Sequence, residues 1–450
     1  MTFPAYPEYK TSSLEWLGRV PSHWKEVRLK NILAQRITDG PHLTPMFVDE
    51  GVPFLSVDGI QNGELVFESC RYISHEDHAE FCKKAKPQQD DILMGKAAST
   101  GKIARVKVDF YFSIWSPLAL IRIQQANAVP AYVEYTLSNH RSQAEIDTLC
   151  TSNTQKNISM DDIPRLTLCL PPLDEQRAIT NFLEHETAKI DSLIREQDKL
   201  IELLNEKRQS IISNAVCRGL DPNVPMKDSG VECLGMVPEH WNVVRLKYLT
   251  TTWKGFAFKA ELFCNDGVRV VKASDIKSLT IKSSDVCLPV ELAVNYPKLK
   301  SGDLVVSTVG SGPEVLNSAV GQIGIVPKIL EGSLLNQNTV VIRSKSKKIN
   351  QDFLAYVLQS SNYRSHLNVI AHGTANQSSI NIEDMLHFRS PLPPLDEQSK
   401  IVVVIRNETS RIDELISNAG QGIVLLQERR SALISAAVSG QIDVRNFYGN

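Results

Sequence analysis

Apolar positions fall into two long stripes, and each stripe follows the same short motif. After LPPLDEQ at 170–176, and again at 392–398, the chain runs on without proline. In the first stripe Ile179, Leu183, Glu186, Ile190, Leu193, Gln197, Leu200, Leu204, Lys207 and Ile211 step by four and three residues. That is the spacing of a coiled-coil seam. The second stripe places Ile401, Ile405, Glu408, Ile412, Leu415, Ala419, Gly422, Leu426, Arg429 and Leu433 at the equivalent positions. Each stripe predicts a helix of about 42 residues, or roughly 60 Å at ~1.5 Å per residue. Pro171-Pro172 and Pro393-Pro394 cannot lie inside a helix, so they mark the starts. Asp174 and Asp396 are expected as N-caps, with Glu175 and Glu397 complementing the dipole in the first turn. Gly219 and Gly440 suit the ends. Gly420 and Gly422 interrupt the second stripe and predict a kink or a close crossing.

Between the stripes the pattern changes to short β-branched runs broken by Gly and Asp turns. Val52–Val57, Ile103–Val108, Phe110–Ile114 and Ala119–Ile123 read as strands, and Pro130–Leu149 as a helix. A second segment repeats the plan with Val268–Val271, Leu304–Thr308, Gln322–Val326 and Thr339–Ile342, then a helical Gln351–Ile370. These segments are two mixed α/β modules, yet their sequences hardly match.

What surrounds them does match. Residues 10–30 and 227–247 agree at 13 of 21 positions, and residues 170–216 and 392–438 at 23 of 47. A period this long is a duplicated domain rather than a solenoid repeat. Leu220-Asp221 after the first stripe corresponds to Ile442-Asp443 after the second, while the linker from Lys227 corresponds to the chain from Lys10. The repeat is cyclic, and the two ends of the chain are expected close together.

The expected fold is therefore α+β: two α/β modules related by a pseudo-twofold axis and joined by two long helices in an antiparallel coiled coil. The alternative is two separate helices, each packed on its own module. The expected boundaries are 1–170 for the first module with its N-terminal arm, 171–220 for the first long helix and 221–229 for a linker. The second module follows at 230–392, the second long helix at 393–440 and a tail at 441–450. Leu200 and Leu415 are expected to be buried between the helices.

Composition narrows the chemistry. With 49 Lys and Arg against 51 Asp and Glu, the net charge is −2, so bulk polycation binding to nucleic acid is excluded and any such binding needs local basic faces. Two candidates are the run Lys96, Lys102, Arg105, Lys107 and the run Lys345, Lys347, Lys348; either could equally be a solvated edge. The eight cysteines are scattered without a CxxC pair, which argues for reduced thiols in a cytoplasm. No signal-peptide pattern opens the chain and no apolar stretch is long enough to span a bilayer.

Candidate contacts to bases and phosphates lie in polar, turn-rich loops. One is Asp39-Gly40-Pro41-His42-Leu43-Thr44-Pro45. Another is the cationic hairpin Gly95–Lys102, with Lys96, Ser99, Thr100 and Lys102, whose counterpart Ser307–Asn317 includes Ser307, Ser311 and Asn317. The third pair is Ser152–Ile158, with Asn153, Gln155 and Lys156, against Thr374–Ile380, with Asn376 and Gln377. Backbone NH groups in such loops approach phosphate closely. No methyltransferase motif, no GxxxxGK[ST] loop and no HExxH occurs. His23 and His240, in the repeated Pro-x-His-Trp, read as packing residues of the constant frame rather than bases.

Leu17-Gly18-x-Val20-Pro21-x-His23-Trp24 with its twin at 234–241, and PPLDEQ at 171–176 and 393–398 before a long helix, resemble the specificity subunits of type I restriction–modification systems. The resemblance spans essentially the whole chain. It implies a noncatalytic subunit that binds double-stranded DNA, two methyltransferase (M) subunits and, for cleavage, restriction/translocase (R) subunits. In that family each target-recognition domain reads one half of a bipartite, asymmetric site and the helices set the gap. S-adenosylmethionine, ATP and Mg would serve the partners, not this chain. The alternatives are a recognition subunit of a type IIB-like or other defence methyltransferase complex, and a fused DNA-modifying enzyme with unfamiliar motifs.

Overall fold

The computed structural model describes residues 3–13, 18–151, 156–277, 279–282, 286–310, 320–345, 347–374 and 377–447. The chain forms two compact units, residues 1–197 with 421–450, and residues 198–420. Each unit is one module clasped by half of each long helix.

The helices run over Leu173–Arg218 and Leu395–Val438. Both begin two residues earlier than N-caps at Asp174 and Asp396 would place them. The carbonyls of Pro172 and Pro394 accept from the backbone NH of Gln176 and Gln398 at 2.9 Å, so Asp174 and Asp396 lie in the first turn, where they complement the dipole without capping it. The ends are as expected: Gly219 and Gly440 take φ values of +77° and +70°. At Gly440 a Cβ would also meet the Pro21 ring at 2.3 Å. The second helix continues unbroken through Gly420 and Gly422, and a Cβ at either would touch nothing within 4 Å. Neither a helix break nor a close approach occurs there.

Within each unit the helix halves run antiparallel. In the first unit Ile179, Phe182 and Leu183 share a core with Ile434, Ala437 and Val438, and Asp191 pairs with Arg430 at 2.9 Å. In the second, Ile212 and Val216 share a core with Ile401 and Ile405, and Arg208 pairs with Asp413 at 3.1 Å.

The seam is not the expected row. Ile190, Leu204 and Ile412 are buried and Leu426 is half-buried, but Leu193, Leu200 and Leu415 are 45%, 43% and 52% exposed. The less exposed residues of those turns are Thr187, Ile194, Ile201 and Arg208, and Thr409, Ile416, Ile423 and Arg430. Every second step of the row is thus displaced by one residue. The 4-3 alternation survives because the displaced row has the same spacing.

The modules are built alike. In the first, an antiparallel sheet orders Ile103–Arg105, Ile92–Gly95, Leu118–Ile121 and Thr38–Asp39. In the second the order is Thr250–Lys254, Thr339–Ser344, Leu304–Ser307 and Ile323–Ile325. Each has a further small sheet with one parallel pair, Val52–Leu55 with Ser113–Ile114, and Val268–Val271 with Leu334–Leu335. Each also buries one carboxylate at 2% exposure, Asp91 on Arg122 and Asp303 on Arg343. The two expected helices are each broken in two. Asn139 and Ser360 take extended backbone and cap the following helix, their side chains accepting from Arg141 N and Tyr363 N.

The repeated motifs meet one another. Glu175 accepts from the Trp24 indole at 2.9 Å and contacts His23 Nε2 at 2.7 Å. Glu397 does the same for Trp241 and His240, at 3.1 and 2.9 Å. Gln176 accepts from Val129 N and donates to Pro171 O, while Gln398 accepts from Asn350 N and donates to Pro393 O. The Glu-Gln pair thus ties the helix start to the arm and to the module, and the histidines serve this clasp. Glu175→Ala would leave a fully buried indole NH without its acceptor, costing about 1–3 kcal/mol. Thermal melts should show a lower midpoint for Glu175→Ala and a smaller loss for Glu397→Ala, because the Glu397 side chain is 26% exposed against 6% for Glu175.

The chain ends meet within the first unit. Asp443 N donates to Pro4 O at 2.7 Å and Tyr9 Oη donates to Gly440 O at 2.9 Å. Phe182 stacks edge-on against both Phe3 and Phe447, at 5.0 and 4.8 Å.

Candidate nucleic-acid interface

In the first module three separate segments converge beside the end of strand Ile92–Gly95. Gly40 follows strand Thr38–Asp39 and presses on the Ile114 carbonyl so closely that a Cβ would sit 1.9 Å from the oxygen. Asp39 is only 6% exposed. Its carboxylate is shared by Lys84, by Lys96 at 2.7 Å and by His42 at 3.2 Å, and Lys84 also donates to Gly40 O. Burial alone would raise the Asp39 carboxyl, but the lysine hydrogen bonds prevail and hold it below its usual range. Two ammonium groups on one carboxylate leave the node cationic.

The hairpin Gly95–Lys102 is locked to the next segment. Thr100 Oγ1 donates to Lys156 O at 2.6 Å, and Ile158 N to Lys96 O at 2.9 Å. Lys156 itself pairs with Asp147 at 2.7 Å on an exposed edge. Ser99 and Lys102 are half-buried on the hairpin, and Lys102 faces a shallow groove beside the Asn62-Gly63 turn. Thr44 is exposed on the 40–46 loop. So Asp39, Gly40, His42, Lys96, Thr100 and Lys156, read from the sequence as three separate loops, belong to one continuous region. Asp39 enters it as the anchor that positions lysines, not as a surface contact.

Two other expectations are corrected. Arg105 is not part of a basic face: its guanidinium is bound by Asp90, Glu134 and Glu184 at 2.6–3.1 Å, and Lys107 pairs with Glu64. Ser307 is fully buried, its hydroxyl donating to Val309 O at 3.1 Å, because it lies on a central strand covered on both faces. Gln377 lies on a strand, Gln377–Ser379, paired with His372–Thr374. Its side chain, and Asn153, Gln155, Ser311, Asn317 and Asn376, lie outside the described residues. Lys84 escaped the sequence reading, although Lys83-Lys84-Ala85-Lys86 carried a visible cationic signal.

The equivalent place in the second module is chemically different. Gly255 follows strand Thr250–Lys254 and presses on the Asn336 carbonyl as Gly40 presses on Ile114. Lys254 stands where Asp39 stands. Phe256 and Phe258 follow the glycine and pack on Tyr296 at 4.8 and 5.2 Å. Counting back from the matched Asp91 and Asp303, Tyr296 takes the place of Lys84. One scaffold therefore presents a cationic node in one module and an aromatic cluster with a lysine in the other.

A family model for the type I restriction modification DNA specificity domain matches residues 21–203 and 238–419. The chain belongs to this family. Its role is to confer DNA sequence specificity, and the two matches are its two target-recognition halves. It is 26% identical to the type I restriction enzyme MjaVIII specificity subunit of Methanocaldococcus jannaschii over 95% of both chains. It is 20% identical to the EcoKI specificity subunit of Escherichia coli K12, over 88% of this chain and 83% of that one. A solved chain from work on complex assembly and conformational transition of the type I R-M system shares its fold, with a TM-score of 0.69 at 16% identity, covering 93% of this chain and 98% of that chain.

Proposed function

We propose that this specificity subunit is noncatalytic and directs two methyltransferase subunits, and restriction/translocase subunits for cleavage, to a bipartite, asymmetric site in double-stranded DNA. The observation that carries this reading is the pair of equivalent loops: the frame around them is duplicated, while Asp39 and Lys84 give way to Lys254 and Tyr296, with Phe256 packed on the tyrosine. A fixed frame with unlike contact surfaces suits two different half-sites. The Lys84 and Lys96 ammonium groups are suited to phosphates or guanine edges, and the aromatic cluster to thymine methyls. S-adenosylmethionine, ATP and Mg would be bound by the partners. The subunit would work in the cytoplasm on chromosomal DNA. Its acidic balance fits an assembly in which partners supply much of the phosphate attraction.

Methylome sequencing of cells with and without the gene tests this. A gapped methylated motif should disappear with the gene; an unchanged methylome would refute the reading. The gap supplies a second test, because both long helices enter both units. Inserting four residues after Gln197 lengthens the first helix by about 6 Å, so the methylated motif should keep both halves while its gap grows by one or two base pairs. An unaltered gap would remove the helices' role as the ruler.

A further inference from the structure

Just outside the lysine node, two large apolar side chains stand in solvent. Leu43 is 80% exposed and Met46 84%, the kind of exposure that burial against a partner would reverse at about 25 cal/mol per Å². Both ends of their loop are fixed. Gly40 is wedged on Ile114, and Ser116 N donates to Pro41 O at 3.2 Å. At the other end Phe47 pairs with Ile73 and lies under the Arg71 guanidinium at 4.6 Å. Pro41 and Pro45 stiffen the span between, so ordering it on a ligand costs little entropy. The second module shows that this exposure is not a demand of the scaffold, for its equivalent loop folds Phe256 and Phe258 inward onto Tyr296.

The charges around the loop select the partner. Lys84, Lys96 and His42 stand at its base, with the buried Asp39 as their shared counter-charge; the acidic pair Asp49-Glu50 lies beyond strand Phe47–Val48, at the following turn. An apolar tip above a cationic base matches the wedge that DNA-bending proteins insert between base pairs while cations hold the flanking phosphates. We propose that Leu43 and Met46 form an apolar wedge that the first module inserts between stacked base pairs at its half-site. This rests on the DNA-recognition reading above and adds deformation of the duplex to it, so that the ease of unstacking one base step becomes part of the specificity.

The test uses the full chain with its methyltransferase partner and synthetic duplexes carrying the mapped site. 2-Aminopurine is placed at successive positions of the first half-site, away from the methylated base. The wild type should give a several-fold fluorescence rise at one step. Leu43→Ser with Met46→Ser should abolish that rise and weaken binding about tenfold, with protection of the second half-site unchanged; both residues are exposed, so the fold tolerates the change. Binding of the wild type without any rise, or a double variant that keeps the rise, overturns the wedge while leaving recognition intact. A double variant that keeps the rise but sheds the methyltransferase subunit would assign the loop to a protein contact instead. Equal binding of mapped and scrambled duplexes by the wild type would defeat the recognition reading and the wedge with it.

Discussion

Exchanging residues 30–165 for the module of another family member is expected to change one half of the methylated motif and leave the other half and the gap as they were. The cuts fall in two short 3-10 turns, Leu29–Ile32 and Ile163–Arg165, that meet where Leu29 N donates to Leu166 O at 2.8 Å. Strands Lys25–Arg28 and Thr167–Leu170 then stay paired in the frame, and the Glu175 clasp on His23 and Trp24 is untouched. The exchange does cross one packed core. Tyr132 lies against Trp24 and donates to Cys169 O at 2.8 Å, and Arg105 reaches Glu184 on the long helix. A donor that keeps a tyrosine and an arginine at those places should therefore fold. Methylome sequencing of the hybrid reads the result, and a change in both halves together would mean that the modules do not read independently.

The second large effect separates two leucines four residues apart. Leu204→Asp places a carboxylate at a buried position one turn from the Arg208–Asp413 pair, at a cost of several kcal/mol unless it protonates or the helices part. Leu200→Asp changes a residue that is 43% exposed, and should stay within about 0.5 kcal/mol of wild type. Chemical denaturation of the two variants should show a large loss for the first and almost none for the second. Equal losses would restore the seam that apolarity alone suggests.

That seam shows where the sequence could be read and where it misled. The long helices, their starts at the paired prolines and their glycine ends followed from local chemistry, as did the repeated module plan and the meeting of the chain ends. The seam row went astray because two rows share the 4-3 spacing, and apolarity does not separate them: Leu193 and Leu200 in one are matched by Ile194 and Ile201 in the other. The repeat itself held the better signal. Thr187, Ile194, Leu204 and Arg208 are identical to Thr409, Ile416, Leu426 and Arg430, whereas Leu200 corresponds in the repeat to Gly422. An arginine half-buried on the seam is invisible to apolar periodicity, since Arg208 and Arg430 are held there by Asp413 and Asp191. At the candidate loops, the residue types were legible but not their division of labour. Asp39 looked like a contact and is an anchor, because two lysines distant in sequence close over it. Ser307 looked polar and accessible and is interior, because its central strand is buried on both faces.

The first unit draws on both ends of the chain, whereas the second is a single continuous stretch, residues 198–420. On a ribosome this imposes an order of assembly. Residues 198–420 can close on themselves as soon as they emerge, while the earlier-made module must wait for Ile434, Ala437 and Val438 to complete its core and for Gly440 and Asp443 to lock the amino-terminal arm. The half that is translated first is thus the half that matures last, and until then its helix face of Ile179, Phe182 and Leu183 stands open to chaperones or to premature association.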